Sequence, residues 1–202
     1  MVFPTAIGIS DFERRKADKL AEFGYIGFAI DIYGVAKATE DRQANIGYMN
    51  ELIADRKNLA ERVTGIYNVA KSYSTSIAAI GYCFGGMCVL DLARSGTDAK
   101  GVVSFHGLFD SPPGEVNPIS SKILCLHGYD DPLATPDKIT SLGDELTKAG
   151  ADWQIHTYGQ AAHAFTNKLA VSPEQGLAYQ PLADKRSWRS AVDFLAEVFE
   201  DE

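Results

Sequence analysis

The chain has 202 residues, 46% of them hydrophobic, and a formal net charge of −8. That length suits one domain, residues 1–202, with one substantial core, and the acidic balance argues against nucleic-acid binding or a polybasic membrane patch. No apolar run approaches the roughly 20 residues of a membrane span. The N-terminus lacks the basic and apolar regions of a signal peptide, and Cys83, Cys88 and Cys125 show no C-x-x-C spacing, which points to reduced thiols in a cytoplasmic protein.

Strand-like and helix-like segments alternate along the whole chain. Ser10 opens a helix with the capping box Ser10-x-x-Glu13, the apolar residues Phe12, Ala17, Leu20 and Ala21 recur at helical spacing, and Gly24 ends it. Tyr25 to Asp31 reads as a buried strand and Tyr33 to Asp41 as a loop. A helical region runs from Arg42 to Ser72 with a break near Asp55. Thr75 to Gly81 is a strand, Phe84 to Arg94 a helix, Gly101 to Phe105 a strand, and His106 to Ser121 a loop with three prolines. Then come a strand at Lys122 to His127, a helix at Pro136 to Ala149, a strand at Asp152 to Tyr158, a long loop from Gly159 to Gln180 and a last helix from Asp184 to Glu200. This alternation implies βαβ units and a mostly parallel central sheet flanked by helices.

Gly81-Tyr82-Cys83-Phe84-Gly85-Gly86 falls between a strand and a helix. Small residues two before and two after a nucleophile, in that setting, make the sharp turn called a nucleophile elbow. The turn exposes Cys83 at a helix N-terminus, where free N–H groups and the helix dipole favour a thiolate and later an oxyanion. The competing reading is a Gly-rich turn around a buried cysteine.

A nucleophilic cysteine needs a base, and the base an orienting group. Asp131, just past the strand ending at His127, and His163, in the loop after the last strand, stand in the chain order nucleophile, acid, histidine. Both lie at C-terminal ends of strands, where open α/β sheets place their sites. Each also has a plain reading: Asp131 before Pro132 is ordinary turn chemistry, and His163 could be a loop histidine. His156 sits mid-strand, His127 ends a strand, and His106 could line a pocket. No metal-ligand spacing and no Gly-rich phosphate loop occurs, so neither a metal nor a cofactor is expected.

With these motifs, from Phe3-Pro4-Thr5-Ala6-Ile7-Gly8 through Ala29-Ile30-Asp31-Ile32-Tyr33-Gly34, the G-x-C-x-G-G element, Leu126-His127-Gly128 with Asp131-Pro132, and His163-Ala164-Phe165-Thr166-Asn167, the chain resembles the dienelactone hydrolase family of the α/β-hydrolase superfamily. The resemblance implies an α/β-hydrolase fold that hydrolyses a small carboxylic ester or lactone. Cys83, Asp131 and His163 would form a triad, and the backbone N–H groups of Phe84 and the Ala6 region an oxyanion hole. The family's carboxylate-binding arginine four residues after the histidine is Asn167 here. A second arginine has no clear match, Ala44 standing at the corresponding place with Arg42 nearby, and the glutamate that holds the family's resting thiol appears as Thr5. Neutral esters are therefore expected in preference to dienelactone itself. Tyr33, Tyr82, Phe84, Phe105, His106 and Phe109 could wall the pocket, half of them in core roles, with Tyr33, Phe105, His106 and Asn167 taken as substrate-binding. Two other classes remain open: a non-catalytic binding protein on a hydrolase scaffold, and a thiol acyltransferase. Two antiparallel strands that precede Val2 in the family are missing, so by resemblance the chain is expected to be an N-terminally truncated form, with roughly 25–40 residues upstream.

Overall fold

A computed structural model of the chain describes residues 1–34, 37 and 39–200. Five parallel strands, β1 (Val2–Phe3), β2 (Ala78–Tyr82), β3 (Gly101–Phe105), β4 (Lys122–Gly128) and β5 (Trp153–Tyr158), lie side by side in that order. Among the described residues six helices connect and cover them: α1 (Asp11–Glu22), α2 (Arg42–Ala54), α3 (Arg56–Ala70), α4 (Phe84–Arg94), α5 (Pro136–Lys148) and α6 (Pro181–Glu200).

The alternation of side chains along each strand sorts the core into two layers. Phe3, Ala79, Val102, Ile123 and Cys125 point to one face and pack with α2, α3, α4 and α5. Val2, Ile80, Tyr82, Val103, Phe105, Leu124 and Leu126 point to the other and pack with α1 and α6. The result is an α/β/α sandwich with a fully buried centre: every residue of β2 and β3 is buried.

Local chemistry sets most boundaries. The Ser10 hydroxyl accepts from the Phe12 N–H at 3.1 Å, and Glu13 Oε2 accepts from the Ser10 N–H at 2.8 Å, closing the capping box. Asp55 ends α2 and caps α3, its carboxylate accepting from the Asn58 N–H at 3.1 Å, which is the break expected there. α6 begins at Pro181 rather than Asp184. Proline suits the first helical position, and the Gln180 side chain accepts from the Ala183 N–H at 2.8 Å.

Two expected elements differ. Tyr25 to Asp31 is not a strand: it makes a single parallel bridge, Ala29 to Val2, and Ile26 is 70% exposed. Its ladder partner β1 offers only two residues, so the hydrogen bonds from the Val2 N–H to the Phe28 oxygen and from the Ile30 N–H to the Val2 oxygen complete the pairing. Gly159 to Gln180 is not plain loop either. It holds a two-stranded hairpin, β6 (Val171–Ser172) and β7 (Leu177–Ala178), joined through a 3-10 turn at Pro173–Gln175.

A charged cluster ties the α3–α4–α5 layer together. Arg56 donates to both Asp91 carboxylate oxygens, at 3.0 and 2.6 Å, and to the Asp110 carbonyl at 2.8 Å. Arg94 donates to Asp91 at 3.1 Å and grips Glu145 with two bonds of 2.7 and 2.8 Å. The Asp91 side chain is only 2% exposed, so its charge depends on these two guanidinium groups. Among the described residues no helix is long and apolar enough to cross a membrane.

Candidate active site

The C-terminal ends of four neighbouring strands bring the candidate residues together. Cys83 follows β2, His106 follows β3, Asp131 follows β4 and His163 follows β5. Cys83 has φ 56° and ψ −114°, a conformation that L-residues adopt at a cost of order 1–3 kcal/mol. Its N–H donates to the Phe105 carbonyl at 3.0 Å, and its own carbonyl accepts from the Gly86 N–H at 2.9 Å, so the strained turn is anchored on both sides. The flanking glycines are required by space. A Cβ on Gly81 would lie 2.0 Å from the Gly85 oxygen, and one on Gly85 would lie 2.5 Å from the Phe3 oxygen. The elbow expected from the sequence is therefore formed, with the Cys83 side chain partly exposed and Cys88 and Cys125 buried.

His163 is held from below. Its Nδ1 lies 2.7 Å from Asp131 Oδ2, and both side chains are almost wholly buried. The other carboxylate oxygen of Asp131 accepts from the Leu133 N–H at 2.8 Å, so the turn orients the acid that orients the imidazole. Among the described residues no hydrogen bond of ordinary geometry joins His163 Nε2 to another group, and that nitrogen is buried. Cys83 and His163 nonetheless shift each other. Burial raises the Cys83 thiol pKa, but the His163 charge and the N–H groups of Phe84 and Ala6 outweigh it and leave the pKa below the ordinary thiol value. Burial likewise lowers His163, and the Cys83 and Asp131 charges carry it the other way, well above the usual imidazole range. The pair favours thiolate and imidazolium. Burial instead raises the pKa of Cys88, and that of Cys125 to about 12, so these remain thiols.

His106 is 1% exposed and does not reach an open surface. Its Nε2 lies 2.8 Å from the Thr166 hydroxyl, and its ring stands edge-on to His163 and to Phe165, centroids 5.2 Å apart in each case. Burial and the His163 charge hold its pKa well below the usual value, so it is neutral. Three of the four non-glycine residues with positive φ among the described residues, Cys83, His106 and Ala164, surround this point. Backbone strain is concentrated where the candidate residues meet.

The other expected contacts are placed as follows. Phe105 has no exposed surface and stacks on Tyr82, ring centroids 4.5 Å apart, in the layer under α1 and α6. Tyr82, Phe84 and Phe109 are also buried. The Tyr33 hydroxyl is engaged with the Ala6 carbonyl at 2.8 Å. Asn167 is partly buried and accepts the Leu169 N–H at 2.9 Å within its own loop. The carboxylate that touches the first loop is Glu13, absent from the sequence reading except as a capping residue: its Oε1 accepts from the Thr5 N–H at 3.3 Å. Nothing in the local sequence marked Thr166 as the partner of His106.

A separate apolar groove of about 400 Å³, lined by Met1, Leu20, Tyr25, Phe28, Tyr73 and Phe199, opens at the N-terminal ends of β1 and β2. None of the candidate residues lines it. No group of three or more His, Cys, Asp or Glu side chains that could hold a metal ion occurs among the described residues.

A parallel sheet wrapped by helices, with a strained strand–turn–helix after β2 that presents a cysteine and a histidine after β5, is the architecture of an α/β-hydrolase fold. Comparison with known proteins narrows the class. The family model "Dienelactone hydrolase family" matches residues 1–199, and the chain belongs to that family. An uncharacterised protein of Caenorhabditis elegans is 31% identical over 160 residues, covering 73% of this chain and 99% of that protein. Among solved structures, m3DLH superposes with a TM-score of 0.89 at 35% identity, over 98% of this chain and 85% of the other. A dienelactone hydrolase-like promiscuous phosphotriesterase from metagenomic libraries gives 0.91 at 33% identity, over 98% and 84%.

Proposed function

We propose that the protein hydrolyses small carboxylic esters or lactones through a Cys83 thiolate and an acyl-thioester. The observation that carries this reading is the coupled pair itself: a partly exposed thiol on a strained turn with a depressed pKa, opposite an imidazole held at 2.7 Å by a buried carboxylate. Membership of the dienelactone hydrolase family supports it.

In this reading the Cys83 sulfur attacks the substrate carbonyl carbon, and the carbonyl electron pair moves to oxygen. The N–H groups of Phe84 and Ala6, which stabilise the resting thiolate, turn to that oxyanion; one such donor is worth roughly 10²–10³ in rate. Collapse expels the alkoxide, which takes the His163 proton. The neutral imidazole then draws a proton from water as the water attacks the thioester, and a second collapse returns the thiolate–imidazolium pair. Asp131 keeps Nδ1 protonated throughout, so that Nε2 is the nitrogen that exchanges protons.

Intact-mass measurement during turnover of p-nitrophenyl acetate tests this. A transient adduct of one acetyl group, mapped by peptide digestion to Cys83 and absent from Cys83→Ala, is expected. Turnover by Cys83→Ala at the wild-type rate would remove the reading. Iodoacetamide at neutral pH should label Cys83 well before Cys88 or Cys125, and earlier labelling of either buried cysteine would contradict the assignment.

Substrate charge gives a second test. Asn167 offers no cation, so an anionic substrate lacks a charge-assisted contact there, of the kind worth roughly 1.5–3 kcal/mol. Neutral short-chain esters are expected to show kcat/KM at least equal to matched carboxylate-bearing lactones. A strong preference for the anion would overturn this. The solved phosphotriesterase neighbour makes a neutral phosphotriester a natural third probe in the same assay.

A further inference from the structure

We propose that Tyr33 is a positioning residue for the oxyanion-binding amides, and not a substrate contact. This rests on the thiol-hydrolase reading above. Tyr33 is 5% exposed, and its hydroxyl donates to the Ala6 carbonyl at 2.8 Å. Its ring stacks on Phe84, centroids 6.3 Å apart and planes 14° apart. One side chain thus braces both residues whose N–H groups act on the Cys83 sulfur.

The backbone explains what the hydroxyl does. Thr5 to Gly8 is a turn, closed by the Gly8 N–H donating to the Thr5 oxygen at 3.1 Å. The central peptide of such a turn, here Ala6–Ile7, differs in orientation between turn types, and its own N–H makes only a long contact of 3.4 Å to the Thr5 hydroxyl. That peptide carries the carbonyl that Tyr33 holds. The preceding peptide, Thr5–Ala6, carries the Ala6 N–H. Glu13 fixes the entrance of the turn through the Thr5 N–H, and Tyr33 fixes its centre. Without the hydroxyl the central peptide keeps only the long Ile7 N–H contact to the Thr5 hydroxyl, and the turn that carries the Ala6 N–H is held less firmly. Tyr33 itself is set by its own turn: Asp31 Oδ1 accepts from the Tyr33 N–H at 3.2 Å and the Gly34 N–H at 2.9 Å. Burial above all raises the phenol pKa, so the hydroxyl remains a donor across the working pH range.

The test is Tyr33→Phe, which keeps the ring and removes the donor. With a p-nitrophenyl ester, kcat is expected to fall about ten- to a hundredfold with KM within about twofold, less than the loss of an oxyanion donor itself. The rate ratio of an ester to its thionoester, whose sulfur accepts hydrogen bonds poorly, is expected to fall in the same variant. A packing role alone would leave that ratio unchanged. If Tyr33→Phe does not fold, 3-fluorotyrosine at position 33 keeps both ring and donor while altering the donor strength, and the ratio should still move. Unchanged kcat and ratio in the folded phenylalanine variant, or an unchanged ratio in the fluorotyrosine protein, overturns the proposal. The underlying reading fails in a different way: no acyl-Cys83 forms in the wild type, or Cys83→Ala remains active.

Discussion

His163→Ala is expected to lower kcat/KM for a small ester by on the order of 10³–10⁴ and to shift alkylation of Cys83 to alkaline pH. Both effects follow from one contact. In the folded wild type burial raises the thiol pKa, but the His163 charge and the Phe84 and Ala6 amides carry it below its ordinary value, so the thiolate persists to lower pH than that of an ordinary thiol and is lost as pH falls through the depressed value. The His163 pKa lies above its ordinary value, so the imidazolium persists until pH rises through the raised one. The wild-type rate should therefore be flat across the interval between the two. Alanine removes the larger of the stabilising contributions and leaves a partly buried sulfur whose pKa moves toward or above about 8.5. At pH 7 only a few per cent would then be thiolate. Asp131→Asn should reproduce part of the loss, because the amide no longer fixes a protonated Nδ1. Iodoacetamide rates measured from pH 5 to 10 check the shift. An unchanged alkylation profile in His163→Ala would separate Cys83 from this histidine.

The elbow was legible because its causes are local. Gly81 and Gly85 are demanded by atoms within four residues or in the adjacent strand, and the strand–turn–helix order is written in consecutive residues. The alternation of strands and helices was legible for the same reason, and so was the Asp55 break, since one aspartate can both end and cap a helix. The positions of Asp131 and His163 could be read as strand-end residues, but their 2.7 Å approach joins side chains 32 residues apart and rests on the register of β4 against β5. Contacts that depend on such distant partners were not legible. Tyr33 looked like a pocket aromatic, and its hydroxyl is occupied by a carbonyl 27 residues earlier. His106 looked like a wall residue, and it is buried against Thr166, 60 residues on. Glu13 showed only its local capping role because its second oxygen serves Thr5, eight residues before it. Tyr25 to Asp31 has the composition of a strand, yet a strand exists only as far as its neighbour extends.

The largest expected stability effect lies away from the thiol. Asp91→Ala should cost about 3–5 kcal/mol, the range seen when one partner of a buried ion pair is removed. For a chain of this size each kcal/mol corresponds to roughly 2–4 °C in Tm, so a loss on the order of 10 °C is expected. The reason is asymmetric. Arg94 keeps its two bonds to Glu145, but Arg56, with a side chain only 10% exposed, retains only the Asp110 carbonyl. Asp91→Asn, which keeps the shape and removes the charge, should lose much of the same stability. Replacing the pair together, Asp91→Leu with Arg56→Met, should recover most of it, because two apolar groups need no counter-charge. Thermal denaturation of the four proteins decides the point. A Tm for Asp91→Ala within a degree or two of wild type would show that water reaches the cluster.

The segment that bears His163 is tied at both ends of a small excursion. The Ala178 N–H donates to the His163 oxygen at 3.1 Å and the Gln180 N–H to the Phe165 oxygen at 3.1 Å, so the stretch from β7 to Gln180 lies parallel to the histidine segment and clamps it. Between these clamps the chain swings outward, with Leu169 84% and Val171 80% exposed. Such an arrangement separates inheritance of chemistry from variation of taste. Residues in the excursion can be lengthened, shortened or exchanged while the imidazole keeps its place, because neither clamp depends on what the tip contains. Within this fold, that stretch is free to change its length and composition while the histidine stays where β5 and β7 hold it.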